Sequence, residues 1–178
     1  MYVGHVGAAL AAKRFRRSIG LAILVAATYA PDWVDAGLCL AGKSNPIEML
    51  SHSIPSVAFL ALVALAGYGI VARDWKGGAV LAAVVVSHML LDWITGNKPT
   101  WPGGPIIGLD LYSHPIADFA AEAVVIGIGG VLYARTLSPG KRPWVNVSMM
   151  LGALLLIQLA IDIAHLMLKT MPKCPLAT

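Results

Sequence analysis

Residues 77–94, Gly-Gly-Ala-Val-Leu-Ala-Ala-Val-Val-Val-Ser-His-Met-Leu-Leu-Asp-Trp-Ile, decide the fold class of this chain. At about 1.5 Å per residue, a helix of this length crosses most of a bilayer core about 30 Å thick. The stretch carries no charge until its last turns, where His88 and Asp92 lie four residues apart and therefore on one helix face. An imidazole beside a carboxylate is ligand chemistry for Zn²⁺ or a similar divalent ion. The stretch predicts a transmembrane helix with two candidate metal ligands at one end.

The composition of the whole chain agrees with a membrane protein. Its 178 residues are 58% hydrophobic and 12% charged, whereas a soluble domain has about 25% charged residues. The length suits one transmembrane helical domain over residues 1–178. The net charge of +4 does not indicate nucleic-acid binding, because the basic residues lie between apolar segments, where they set topology. Cys39 and Cys174 could pair if both lie outside the cytoplasm, but we expect them to be unpaired.

Further apolar segments flank this helix and cover residues 2–12, 18–31, 54–72, 116–134 and 143–168. The first is too short to span a bilayer, which takes about 20 residues, so we expect a short, half-inserted N-terminal helix. The second ends at Pro31 and Asp32, where we expect the chain to leave the helix. The sequence therefore predicts an all-α integral membrane bundle with about five spanning helices, multi-pass in the cell inner (plasma) membrane.

The basic residues predict which side of the membrane each connection occupies. They are concentrated in alternate connections, at Lys13 to Arg17, at Arg73 and Lys76, and at Arg135 to Arg142. The positive-inside rule assigns these connections to the cytoplasm. The other connections, residues 41–53 and 95–115, hold only Lys43 and Lys98 and are expected on the non-cytoplasmic side.

With this topology, the ionisable residues of the apolar segments fall near the non-cytoplasmic side. Charged groups at membrane depth are costly, usually face the bundle interior and are functional by default. We therefore predict a divalent metal centre there, with zinc as the first choice and manganese as the second. Its expected metal ligands are His5, Asp32, His52, His88 and Asp92. Glu122 or Asp118 is expected to act as a further ligand or as the catalytic proton-transferring base.

Each of these residues also has an ordinary explanation. His5 suits a solvated terminal histidine, and Asp32, with Asp35 one helical step away, suits a turn or cap. His52 lies between two serines that suit a helix start. A single intramembrane histidine such as His88 is often only hydrogen-bonded to a neighbouring helix. The metal site therefore depends on whether the fold brings the candidates together.

The same residues are also compatible with two other classes of protein. Paired acids and histidines also form metal or proton relays in transport proteins. A transport path should continue to the cytoplasmic side, however, and the inner halves of the helices, such as residues 60–66 and 123–134, are apolar. A bundle of this size could also be a non-enzymatic accessory subunit of a larger membrane complex, with protein partners at lipid depth.

The order of the motifs resembles the membrane-bound metal-dependent hydrolases, a group of small integral-membrane proteins. The resemblance covers most of residues 1–135 and is carried by Gly4-His5, Pro31-Asp32, Ser51-His52-Ser53, Ser87-His88 through Asp92, Trp101-Pro102-Gly103-Gly104-Pro105 and Pro115 through Glu122. It implies a hydrolase. Because the predicted site opens at interfacial depth on the non-cytoplasmic side, we expect it to act there on an ester or phosphoester, lipid-like in kind. The order is also similar, more distantly, to the all-helical zinc-dependent phospholipase C and single-strand nuclease fold.

The chain departs from that group at one point. A better-studied branch carries His-Arg-Gly shortly before the histidine that corresponds to His52, whereas this chain has Ile47-Glu48-Met49. The missing arginine removes a bidentate clamp for phosphate, which argues against a phosphoester substrate.

Overall fold

The computed structural model describes residues 2–42, 51–138 and 143–168. Within these ranges the chain forms seven helices: α1 (Gly4–Ala12), α2 (Leu21–Thr28), α3 (Ala30–Leu40), α4 (Ile54–Val71), α5 (Trp75–Thr95), α6 (Pro115–Ala134) and α7 (Pro143–Leu168). Strands β1 (Lys98–Pro99) and β2 (Ile106–Ile107) form an antiparallel hairpin between α5 and α6, and a 3₁₀ turn (Leu111–Ser113) follows it. The predicted all-α fold is confirmed.

The spanning helices agree with the sequence prediction. Helices α4, α5, α6 and α7 are long and apolar enough to cross a membrane, and a fifth span results if α2 and α3 cross together as one bent helix. Helix α1 has nine residues and is too short to span. The residues therefore form a multi-pass membrane bundle with a short first helix.

The prediction that the chain leaves the helix at Pro31 was wrong. Helix α2 ends at Thr28, and after Tyr29 the chain enters α3 at an angle of 65° to α2. Pro31 lies in the first turn of α3, where its missing N–H is not needed and its fixed φ suits a helix. Asp32 therefore occupies the first turn of a helix, where the helix dipole favours a carboxylate.

Helix α1 is held in the bundle by close packing against α6. Gly7 and Gly129 lie at this contact, and a Cβ atom on Gly7 would lie 2.5 Å from the carbonyl oxygen of Val125. Small residues permit such a close approach between membrane helices. Helix α1 also contacts α2 and α5, and α5 packs against α4. His5, near the start of α1, is therefore enclosed by other helices.

Two of the connections predicted to be cytoplasmic meet at one end of the bundle. Arg16 Nε lies 2.8 Å from Asp74 Oδ2, and this hydrogen bond lowers the pKa of Asp74. Asp74 also caps α5 by accepting a hydrogen bond from the Gly77 N–H at 3.0 Å. Next to this end the interior is filled by an apolar cluster of Ala9, Ala12, Ile19, Leu24, Leu81 and Val84. The apolar cluster separates the basic end from the polar residues described below.

Cys39, in the last turn of α3, is disulfide-bonded, so the expectation that it is unpaired was wrong. The other cysteine of the sequence, Cys174, lies outside the described residues. Disulfides persist in oxidising compartments, and such a compartment agrees with the side predicted for residues 41–53.

Candidate metal centre

Five side chains from four segments converge at the end of the bundle away from the Arg16–Asp74 pair. They are His5 of α1, Asp32 of α3, His52 just before α4, and His88 and Asp92 of α5. His88 Nε2 lies 3.1 Å from His52 Nε2 and 3.5 Å from Asp92 Oδ2. His5 Nε2 lies 3.5 Å from Asp92 Oδ1, and His52 Nε2 lies 3.2 Å from Asp32 Oδ1. The fold thus brings together all five residues that the sequence proposed as ligands.

The cluster contains two overlapping groups that share His88. One group is His5, His88 and Asp92, the other is Asp32, His52 and His88, and the ligand atoms of each group lie within 4.8 Å of one another. Asp92 joins the groups, because its Oδ1 faces His5 while its Oδ2 lies 3.4 Å from His52 Nε2. One tetrahedral zinc ion takes four ligands, and a carboxylate with an oxygen toward each group could bridge two ions. The arrangement therefore suits one ion or a bridged pair.

A hydrogen bond from its second nitrogen fixes the ring of His88. Nδ1 lies 2.7 Å from the carbonyl oxygen of Thr28, and because a carbonyl can only accept, we assign the proton to Nδ1. The other nitrogen, Nε2, then presents a lone pair to the cluster, as in metal sites where a second hydrogen bond orients the histidine. Helix α2 ends at Thr28, where terminal carbonyls lack intrahelical partners.

His52 has a similar arrangement. Its Nδ1 lies 2.8 Å from Ser51 Oγ and 3.2 Å from Asp35 Oδ2, and a carboxylate in that position orients the ring and strengthens the opposite nitrogen as a ligand. Burial lowers the pKa of His52, but hydrogen bonds to Asp32 and Asp35 outweigh burial and raise the pKa to about 9. Without metal, His52 is therefore a cation that balances the acids, and a metal ion would replace its proton.

The start of α1 is held in place by two side chains from other helices. Three backbone N–H groups donate to them: those of Tyr2 (2.6 Å) and Gly4 to Glu122, and that of Val3 to Gln158 Oε1 (3.2 Å). The first N–H groups of a helix have no intrahelical partners, and at membrane depth they must be satisfied by the protein. Glu122 of α6 and Gln158 of α7 meet this need and so fix the position of His5.

The two predicted catalytic acids have different surroundings from those expected. Glu122 and Asp118 are buried on α6, but neither belongs to the described groups that could share an ion. Both carboxylate oxygens of Glu122 accept backbone hydrogen bonds, one from Tyr2 just before α1 and one from Gly4 at its start. Asp118 Oδ1 has no hydrogen-bond partner among the described residues. These contacts favour a positioning role for Glu122, and a catalytic role for either acid stays a prediction.

A cavity of about 420 Å³ adjoins the cluster, and its wall includes Asp32, Asp92, Lys98, Tyr2, Tyr29 and Tyr112. Lys98 Nζ lies 3.3 Å from Asp92 Oδ2. Burial raises the pKa of Tyr112 well above its usual value and, with nearby carboxylates, raises the pKa of Tyr2 to about 12. Both phenols therefore keep their protons at neutral pH and can donate hydrogen bonds. No chemical role for Lys98 could be predicted from the sequence, because a single lysine in a connection carries no motif.

The fold and the cluster define a class, a small multi-pass membrane protein whose helices enclose a histidine–aspartate cluster at one end. The chain matches the model of the YdjM inner membrane protein family over residues 1–166, and it belongs to that family. The matched range includes all five residues of the cluster, and the family agrees with the predicted inner membrane location. No curated protein and no solved structure matches the chain. The support for a function therefore comes from the geometry of the cluster.

Proposed function

We propose that this protein is a membrane-embedded, metal-dependent hydrolase that acts on an ester or phosphoester at the non-cytoplasmic membrane face. Its ligands are drawn from His5, Asp32, His52, His88 and Asp92. Nitrogen and oxygen donors of this kind suit zinc first and manganese second. The observation that carries the proposal is the hydrogen bond between His88 Nδ1 and the Thr28 carbonyl, because it directs a lone pair into a group of imidazoles and carboxylates.

A divalent ion held by these residues would supply Lewis acidity and lower the pKa of water to about 7. Proton transfer would then fall to residues of the cavity wall. The side chain of Asp32 is 44% exposed, against 4% for that of Asp92, so Asp32 can reach a water or substrate in the cavity as well as the cluster. Asp32 is therefore the best placed of the five to accept a proton during hydrolysis.

The position of the cluster supports a site that opens on one side of the membrane. The basic connections joined by Arg16 and Asp74 lie at the other end, and the positive-inside rule assigns that end to the cytoplasm. Between them, the apolar cluster around Leu24 and Val84 fills the interior. A transport path would need polar groups there, so the interior favours a hydrolase over a metal or proton transporter.

The test is hydrolysis by the purified full chain in detergent, loaded with zinc or manganese. The substrates are p-nitrophenyl butyrate, p-nitrophenyl phosphate and bis(p-nitrophenyl) phosphate. We expect at least one substrate class to be cleaved, with the activity lost in His88→Ala and kept in His114→Ala, which alters an exposed histidine outside the cluster. A metal-loaded protein that cleaves none of them, or an equal rate in His88→Ala, would contradict the proposal and favour an accessory subunit, to be pursued through co-purifying membrane partners.

A further inference from the structure

The cavity beside the cluster shares a wall with an apolar groove on the surface of the bundle. The groove has a volume of about 460 Å³ and is lined by Val25, Tyr29, Asp32, Trp33 and Ala36. Tyr29 and Asp32 also line the polar cavity. One molecule could therefore occupy both, with a polar end at the cluster and an apolar end in the groove.

The groove follows from the break between α2 and α3. The two helices meet at 65° around Tyr29, and the side chains of Val25, Trp33 and Ala36 lie around the bend. Trp33 is 62% exposed, but its ring is fixed because Nε1–H donates to the carbonyl oxygen of Ala26 at 3.0 Å. Both helices belong to the segment that could cross the membrane as one bent span, so an exposed apolar groove between them can face lipid chains.

Lys98 supplies the positive charge at the polar end of this space, which Asp32 and Asp92 also line. It is the cationic side chain among the described residues that line the cavity. Pairing of Lys98 with Ile107 in the hairpin positions it, and the hairpin is tied to α4 by a hydrogen bond from the Ile54 N–H to the Thr100 carbonyl oxygen at 2.8 Å. Lys98 and a metal ion on Asp92 would be two positive charges side by side, which an anion between them would stabilise.

The hairpin and the residues just after it also present apolar side chains to their surroundings. Ile106 and Leu109 are 57% and 67% exposed, and Trp101 is exposed at the turn. Apolar and aromatic side chains at the end of a membrane bundle suit the lipid interface. Lys98 therefore belongs to a hairpin whose exposed side chains suit the depth of lipid head groups.

We propose that the substrate of this site is an anionic amphiphile, with a phosphoester head group bound at Lys98 and an acyl chain in the groove between α2 and α3. The inference rests on the proposed function for the reaction and on the proposed metal centre for the positive charge beside Lys98, which is paired with Asp92. It also assigns the phosphate-binding role to Lys98, although the arginine clamp is missing from residues 47–49, which lie outside the described residues.

The test measures binding to the purified full chain, loaded with zinc, in phosphate-free detergent. A fluorescent short-chain phosphatidic acid is the probe, and the competitors are dioctanoyl phosphatidic acid, inorganic phosphate and dioctanoylglycerol. We expect phosphatidic acid to compete at least about tenfold better than either of the others. Equal competition by inorganic phosphate would indicate a site for soluble anions, and equal competition by dioctanoylglycerol would exclude recognition of the head group. Either result would overturn the proposal.

Substitutions then test each end of the amphiphile. Lys98→Glu should weaken phosphatidic acid binding by about tenfold or more, with Lys98→Arg restoring it and Lys76→Glu, at the basic end, leaving it unchanged. Ala36→Trp should fill the groove and weaken binding similarly, whereas Ala22→Trp, at an exposed position outside the groove, should not. Wild-type binding in both Lys98→Glu and Ala36→Trp would refute the assignment.

The two proposals fail in different ways. If phosphatidic acid binds through Lys98 but the protein has no hydrolytic activity, the hydrolase proposal is refuted and the amphiphile site stands. If the protein cleaves p-nitrophenyl substrates but binds phosphatidic acid no better than inorganic phosphate, the amphiphile site is refuted and the hydrolase proposal stands.

Discussion

Replacing Glu122 tests whether this buried acid positions α1 or acts in catalysis. In the structure its carboxylate accepts the N–H groups of Tyr2 and Gly4. Glu122→Leu removes both acceptors, and each buried group left unpaired costs about 1–3 kcal/mol, or about 2–6 kcal/mol together. Glu122→Gln keeps one acceptor oxygen and should cost about 1–3 kcal/mol.

The assay is thermal unfolding of the purified protein combined with zinc affinity. At about 2–4 °C of melting temperature per kcal/mol for a chain of this size, Glu122→Gln should lower Tm by about 2–12 °C and Glu122→Leu by more. Zinc affinity should fall by about 10–100-fold, as for other residues that orient a ligand, because His5 is carried by α1. Asp110→Asn, the same change of acid to amide in an outer connection, is the control and should leave both values unchanged.

The opposite result is equally informative. A Glu122→Gln protein with wild-type Tm and zinc affinity but no hydrolytic activity would show that Glu122 acts as a base, as the sequence alone predicts. The positioning role would then be wrong.

Three further predictions concern the contacts of the cluster and the packing of α1 against α6. Asp35→Ala removes the carboxylate beside His52 Nδ1 and should lower zinc affinity by about 10–100-fold, and an unchanged affinity in a titration would exclude that role. Because the pKa of His52 is raised to about 9, above its ordinary value of about 6.5, its stabilising effect on the metal-free protein is complete below about pH 6.5 and is lost as the pH rises through about 9. Zinc affinity should rise over the same window, and a His52→Gln protein should lose both trends; a wild-type affinity independent of pH would contradict this. Gly7→Ala places a Cβ 2.5 Å from the Val125 carbonyl oxygen and should lower Tm, whereas Gly127→Ala meets nothing within 4 Å and should not; equal Tm values would show that the α1–α6 contact can relax.

The position of the cluster could be predicted because each ligand lies at the end of an apolar segment that the topology assigns to the non-cytoplasmic side. The order of basic connections assigns that end, and the spacing of His88 and Asp92 puts two ligands on one face. The supporting contacts could not be predicted in this way. The Thr28 carbonyl and Asp35 reach the histidines only because the chain bends by 65° at Tyr29 and continues as a helix. The sequence predicts instead that the helix ends at Pro31 and Asp32. The spacing of Asp32 and Asp35, one helical step, was the available signal.

Glu122 illustrates the same limit. A buried carboxylate needs a partner, and from the sequence a metal ion or a proton was the natural choice. Its actual partners are the backbone N–H groups of Tyr2 and Gly4, just before and at the start of α1. They reach Glu122 because Gly7 and Gly129 let α1 and α6 approach closely, and backbone groups leave no pattern in a sequence. Lys98 was missed for a related reason, since its role depends on the hairpin that places it beside Asp92.

The most direct test of the metal centre is the amount of metal that the purified protein binds. The purified full chain, the double variant His88→Ala with Asp92→Ala, and His114→Ala as control would be offered zinc and manganese, dialysed and analysed for bound metal. The cluster predicts about one equivalent, or two if Asp92 bridges a pair, in the wild-type and His114→Ala proteins and none in the double variant. A folded wild-type protein that stays free of metal, or a double variant that retains the wild-type amount, would contradict the metal centre.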